Sequence, residues 1–259
     1  MWENQKIYRY ESIDSTNLEA KRLGESGVSS GCLVVAKRQT AGRGRRGRVW
    51  ESSFEGNLYF SLLLKPEIPV EQISMLTLVM AMAVAEAAEE LSGVELGIKW
   101  PNDIVFEGKK VAGILTELHM AAESGRFVII GAGVNVARQT FAGEIAGKAV
   151  SLEEASGSVF SREDLLQGIM GHFERLYRQF CKDGNLCNLK EVYHSKLVNK
   201  DAFVKVLDPA GEYEAVALGI NENGELLVAP LDEKGQPDRE KLQTVYAGEV
   251  SVRGIYGYV

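Results

Sequence analysis

Cysteine and histidine are scarce in this chain of 259 residues, with three of each. Cys32, Cys181 and Cys187 are odd in number and suit neither a zinc site nor a disulfide framework by their spacing. They are expected as free, buried thiols in a reducing, cytoplasmic setting. His119, His172 and His194 have no His or Cys neighbour at metal-ligand spacing, so no transition metal is expected. Positive charge is also short, with 29 basic against 36 acidic side chains and a net charge of −7. A protein that neutralises many phosphates by bulk charge carries the opposite balance, so any phosphate contact must be local and no DNA partner is expected. Hydrophobic runs are brief: residues 79–88 are interrupted by Glu86 and fall short of a membrane span. The opening Trp2-Glu3-Asn4 begins no basic-then-apolar signal segment. Proline is rare, six in all, and no Pro- or Ser-rich linker, repeat or low-complexity tract divides the chain. Familiar nucleotide signatures fail as well. Gly131-Ala132-Gly133-Val134-Asn135-Val136 has Val136 where the dinucleotide fingerprint needs its third glycine, and Gly108-Lys109 is followed by Lys110 instead of the Ser/Thr of a phosphate loop. No local motif suggests a Ser-His-Asp or Cys-His arrangement.

What is present reads as a folded chain, 45% hydrophobic and 25% charged. The length allows one large domain and a small one. Asp14-Ser15-Thr16-Asn17 ahead of residues 18–23 predicts a cap and a short helix, with Gly24 as its stop. Residues 32–37 and 57–65 are β-rich, and the Gly/Arg segment between them is a loop. Residues 74–91, rich in Ala, Leu, Met and Glu without Gly or Pro, predict a helix. Strands follow at 94–100, 104–106 and 111–119, and a buried one at 127–130. Residues 162–180 predict a second helix, with Ser161 and Asp164 as a capping box and an apolar stripe through Leu165, Ile169, Phe173, Leu176 and Phe180. Beyond about residue 200 five short strands (202–207, 213–220, 225–229, 242–246 and 250–255) are parted by turn residues and suggest a small β-barrel. The expected fold class is α+β, a mixed sheet in residues 1–199 followed by the barrel in 200–259.

Four segments point to chemistry. Gly42-Arg43-Gly44-Arg45-Arg46-Gly47-Arg48 packs four arginines and three glycines into seven residues. Glycine lets the backbone approach a ligand, and arginine presents a fixed fork of donors to carboxylate or phosphate oxygens. A solvated surface loop is the competing reading. Trp50 offers an aromatic face close by, on which a base can stack, although a lone Trp more often packs. Lys99-Trp100-Pro101-Asn102-Asp103 ends a strand, because Pro101 restricts Trp100 and stops it. A lysine there can hold a carboxylate and an α-phosphate as two anions are forced together. Gly131 and Gly133 let a ligand approach their strand, with Asn135 in hydrogen-bonding reach. Residues 110–117 read as a core strand and signal packing.

Taken in order, these segments resemble the biotin–protein ligase family. The resemblance rests on Asp14–Asn17, Gln39 with Gly42–Gly47, Trp50, Lys99–Asp103, Val111–Glu117 and Gly131–Asn135. Ala247-Gly248-Glu249-Val250-Ser251 and the strands before it look like the family's small SH3-like barrel. The resemblance implies a reaction in which biotin and Mg-ATP form biotinyl-5′-adenylate, which then acylates one lysine of a biotin carboxyl carrier protein of acetyl-CoA carboxylase or a related carboxylase. It implies that Ser15, Thr16, Asn17, Gln39, Gly42, Arg43 and Gly44 hold biotin. Arg45 and Lys99 act on the carboxyl and phosphate oxygens, and Arg48, Trp50 and Asn135 contact the nucleotide. No protein-borne metal ligands are implied. Two departures stand out. Only thirteen residues precede Asp14, so the helix-turn-helix domain of bifunctional members, and repression of transcription, are not expected. The turn between Asp103 and Val111 is slightly short, so Lys109 and Lys110 are given no ligand role. A lipoate–protein ligase is the alternative within the enzyme class, and a nucleic-acid-binding module around the arginine loop is the alternative outside it. An exposed strand edge would allow a homodimer.

Overall fold

A helix that is apolar on every side must be covered on every side. The helix at Met75–Ser92 (α2) meets that condition, since it buries thirteen residues from Met75 to Ala88. In the computed structural model, which describes residues 6–208, 211–247 and 251–254, α2 lies between a seven-stranded sheet and the long helix α4 (Arg162–Asp183). By length and mean hydropathy Val70–Ser92, 23 residues at 1.4, is long and apolar enough to cross a membrane, which corrects the expectation that no run reaches that length. Its place is the core of the fold, where 72% of the apolar window is buried. The outer helix, α4, shows the predicted stripe, with Leu165, Leu166, Ile169, Phe173, Leu176, Tyr177 and Phe180 all buried. Ser161 Oγ accepts the Asp164 N–H at 3.2 Å, and Gly184 closes the helix in the left-handed region at φ 71°.

The strands of the large sheet are β1 (Ile7–Ile13), β2 (Cys32–Gln39), β3 (Leu58–Leu64), β4 (Gly97–Lys99), β5 (Asp103–Phe106), β6 (Lys109–Ala121) and β7 (Gly125–Val134). Their order is β1-β2-β3-β7-β6-β5-β4, and only β1 and β2 run parallel. A parallel pair needs a crossover, and α1 (Thr16–Glu25) supplies it. Strand β1 is absent from the sequence reading because it is an edge strand, exposed along most of its length, with Arg9 and Glu11 in its alternation. Helix α1 covers the face opposite α2, where Ala20, Cys32, Val34, Leu63, Phe127 and Ile129 form a second, smaller core. Gly24 lies inside α1 and does not stop it. A Cβ there would sit 2.5 Å from the Phe127 ring, so this glycine lets the helix approach β7. Of the three free cysteines only Cys32 is buried, whereas Cys181 on α4 and Cys187 after it are exposed. The expectation of three buried thiols is corrected by that difference.

Short helices α3 (Leu152–Ser156) and α5 (Lys190–Lys196) complete the larger part. The second sheet is antiparallel, ordered β11-β10-β9-β8-β12, from β8 (Phe203–Asp208), β9 (Gly211–Ile220), β10 (Leu226–Pro230), β11 (Gln243–Val245) and β12 (Ser251–Gly254). It is the small barrel-like C-terminal unit expected, and residues 248–250 of the motif quoted from it lie outside the described residues. It is tightly joined to the larger part. Trp100 donates its indole N–H to the Gly224 carbonyl at 3.0 Å, and its own backbone N–H goes to Asn199 Oδ1 at 2.7 Å. Asp201 N–H bonds the Ala217 carbonyl at 2.7 Å, and Val204, Val206, Ala215 and Ala217 share one continuous core with α2.

Candidate active site

The N-terminus of α1 opens onto the sheet face that the helix body leaves uncovered. Asp14 prepares it: its carboxylate accepts the Ser15 N–H at 2.7 Å and takes two bonds from Arg22, which holds its carboxyl below the usual range. Ser15 occupies the N-cap position, but its hydroxyl makes no cap bond. Thr16 directs both its N–H (2.8 Å) and its hydroxyl (3.1 Å) to Gln39 Oε1 at the end of β2. Gln39 in turn donates to Ser52 Oγ at 2.9 Å, and Ser52 donates to the Trp50 carbonyl. Asn17 is held from two sides. Ser61 Oγ, in the otherwise apolar β3, lies 2.6 Å from its amide oxygen, and its amide nitrogen donates to Glu117 Oε2 at 2.7 Å. Glu117 Oε1 meets the Arg43 guanidinium at 3.1 Å.

Side chains alternate along β7, so one face carries Phe127, Ile129, Gly131 and Gly133. The first two pack in the small core under α1; the two glycines leave the floor beyond it bare. A Cβ on Gly131 would overlap the Asn17 amide, and one on Gly133 would overlap the Trp50 indole. Gly113 pairs with Gly133 across β6 and β7, so Trp50 lies over both. The Trp50 indole N–H is buried without a hydrogen-bond partner, and Lys110 Nζ stands 5.0 Å from the ring centre and 2.6 Å from Asp103 Oδ1. Above this floor the arginine segment folds back as a narrow turn. Arg43 bridges Val49, Gly44 N–H bonds the Arg48 carbonyl at 2.8 Å, and Arg46 takes the left-handed conformation at φ 56°. Arg45 points inward. It donates to Asn102 Oδ1 at 2.9 Å and to the Ala247 carbonyl of the C-terminal unit. Burial pulls its pKa below the usual arginine value, with Asp103 working the other way.

One cavity results, lined by Ser15, Thr16, Asn17, Gln39, Arg43, Gly44, Arg45 and Trp50, with Asn102, Lys110, Gly113, Gly131 and Gly133 among its other walls. Its open volume is about 50 Å³, room for a few water molecules. The structure departs from the sequence reading at the lysine. Lys99 is only 7% exposed and is absent from the lining, whereas Lys110, given no role, contributes to it. The reason is strand order: Lys99 ends β4, the outermost strand, and two strands separate β4 from the glycine floor of β7, while β6 lies beside β7. Asn135 is likewise absent from the lining. Its amide donates to the Lys110 carbonyl at 3.3 Å and meets Asn57 at 3.5 Å, so it braces the start of β6. Gly42 is buried under the Trp50 carbonyl and Ser52 Oγ, and Arg48 is exposed on the turn; neither lines the cavity. Asn102, Glu117 and Ser61 went unassigned in the sequence. Ser61 alone left a signal there, a polar residue within an apolar strand.

Residues 10–135 match the family model described as the biotin/lipoate A/B protein ligase family, and residues 204–253 match the biotin protein ligase C-terminal domain. The bifunctional ligase/repressor BirA of Bacillus subtilis is 35% identical over 250 residues, which cover 96% of this chain and 74% of that protein. The chain belongs to the biotin/lipoate A/B protein ligase family. A biotin–[acetyl-CoA-carboxylase] ligase of Paracoccus denitrificans is a further relative, 32% identical over 83% of this chain and 90% of its own. Among solved structures, the biotin protein ligase from Aquifex aeolicus in complex with biotin and ATP superposes with a TM-score of 0.79 at 32% identity, covering 96% of this chain and 99% of that one. With both family models matched in order, the enzyme is an adenylate-forming ligase of the biotin type.

Proposed function

We infer that this ligase activates biotin with ATP and transfers it to a lysine of a biotin carboxyl carrier protein. The observation that carries the reading is the convergence of neutral hydrogen-bonding groups (Ser15, Thr16, Gln39) and cations (Arg43, Arg45, Lys110) on one glycine-floored cavity. The neutral end suits a ureido ring, whose carbonyl accepts and whose N–H groups donate. The cationic end suits a carboxylate brought against a triphosphate, where negative charge accumulates in the transition state. A biotin carboxylate oxygen attacks the α-phosphorus, pyrophosphate leaves, and the mixed anhydride biotinyl-5′-adenylate remains. The neutral ε-amine of the acceptor lysine then attacks the acyl carbon; the amide forms, AMP leaves with the bonding electron pair, and the amine proton passes to water.

Arg45 and Lys110 are assigned to the phosphate and carboxyl oxygens, and Trp50 to the nucleotide base or the biotin face once it leaves the floor. Mg2+ would enter on the phosphates of ATP, since the described residues contain no group of three or more acidic, His or Cys side chains placed to hold a metal. A mixed anhydride hydrolyses readily, so the arginine turn protects it by excluding water until the acceptor docks. The test is mass spectrometry of an apo carrier domain after incubation with ATP and either biotin or lipoate. One added biotinyl group is expected. Labelling by lipoate alone would move the assignment to the other branch of the family.

A further inference from the structure

Glu117 lies on β6 outside the set of residues that line the cavity, yet it joins two segments that do. Its carboxylate is used on both oxygens. Oε2 accepts from the Asn17 amide at 2.7 Å, and Oε1 pairs with Arg43 at 3.1 Å. An ionised carboxylate only accepts, so the Asn17 amide nitrogen must face Glu117, which fixes which way that amide points and leaves its oxygen beside Ser61 Oγ. The Glu117 side chain is only 17% exposed while Arg43 is 42% exposed. The rigid partner is therefore the sheet, and the part being held is the arginine turn.

We propose that Glu117 is a positioning residue that latches the first arginine of the turn to the sheet and so sets how long the acyl-adenylate is kept from water. This rests on the ligase reading above. Glu117 touches neither reacting atoms nor the cavity; it acts through Arg43 on one side and Asn17 on the other. An unlatched turn would let the adenylate escape before the acceptor arrives, and water would then split it to biotin and AMP. The signature is uncoupling, pyrophosphate released in excess of acceptor labelled, rather than a loss of adenylation.

Glu117→Gln keeps an oxygen for the Asn17 amide and removes the charge that faces Arg43. In the full-length enzyme with saturating biotin and ATP and no acceptor, continuous pyrophosphate release is expected to rise about two- to fivefold, the scale of one partly exposed ion pair, with KM for biotin little changed. Glu117→Ala should raise the leak and also KM for biotin, because Asn17 loses its partner. High salt should raise the leak of the wild-type enzyme and leave that of Glu117→Gln unchanged, so the proposal stays testable on the native protein even where a variant folds poorly. Arg43→Met should leak to the same extent alone and combined with Glu117→Gln. Additive leaks, or a Glu117→Gln leak equal to wild type, overturn the latch. A wild-type enzyme that releases no pyrophosphate in response to biotin overturns the ligase reading instead.

Discussion

The assignment of charge in this site turns on two lysines that sit eleven positions apart in the sequence and face different places in the fold. Lys110 reaches the cavity beside Trp50 and Asp103, while Lys99 ends the outermost strand and is nearly buried. Replacing Lys110 by Ala is expected to slow biotin-dependent ATP–pyrophosphate exchange by about 10²-fold or more, the usual cost of one removed charge-stabilising donor, with the melting temperature close to wild type. If exchange survives in Lys110→Ala, that lysine is not in the site. Gly131 makes a second residue-level case. A methyl group there would overlap the Asn17 amide on a floor that has no slack. Gly131→Ala is expected to destabilise the enzyme by about 1–3 kcal/mol, the range for overpacking, and to raise KM for biotin more than it lowers kcat. Calorimetry with steady-state kinetics would check both halves.

At the scale of elements, helix starts and strand alternation do the positioning. Strand β7 is apolar under α1 and bare beyond it, which puts the end of the small core and the beginning of the site on a single strand. The contact between α5 and β9 is of a different kind. His194 Nε2 accepts the Ile220 N–H at 2.8 Å, which requires an unprotonated nitrogen, and burial sets its pKa below the ordinary value of 6.5. The unfolded chain therefore binds the proton more readily than the folded one, and stability must drop as pH falls below that ordinary value. His119 is shifted in the same direction by burial and adds to the effect. The melting temperature should accordingly decline between pH 7 and about 5, and His194→Gln, which keeps an acceptor without a proton equilibrium in this range, should flatten part of that decline. A slope unchanged by the substitution would remove His194 as its source.

Over the whole molecule, what could be read from the chain was set by range of interaction. The long helices, the arginine turn and the strand-rich C-terminal segment were legible because caps, periodicity and turn residues are local signals. The edge strand β1 was not, because half-exposed alternation with Arg9 and Glu11 resembles a loop. Nor was the place of Lys110 in the cavity wall visible, since it follows from strand order, which no local pattern encodes. The same holds for Trp100, whose sequence context marks a turn while its indole ties the two sheets together through Gly224. Trp100→Phe would leave that carbonyl buried without its donor, at a cost of about 1–3 kcal/mol. The loss should register as a lower melting temperature and as weaker ATP use, because the C-terminal unit carries the carbonyl that holds Arg45. Intact ATP kinetics in a destabilised Trp100→Phe enzyme would separate that packing from the site.

The bond from Arg45 to the Ala247 carbonyl spans 202 positions of the chain. On the ribosome every strand of the large sheet is translated well before that carbonyl exists, so a nascent chain can assemble the cavity floor while its inward arginine still lacks one anchor. Arg45 therefore gains its second anchor only after β8 to β11 have been made, so the order of the chain places completion of this contact after the strands of the cavity floor.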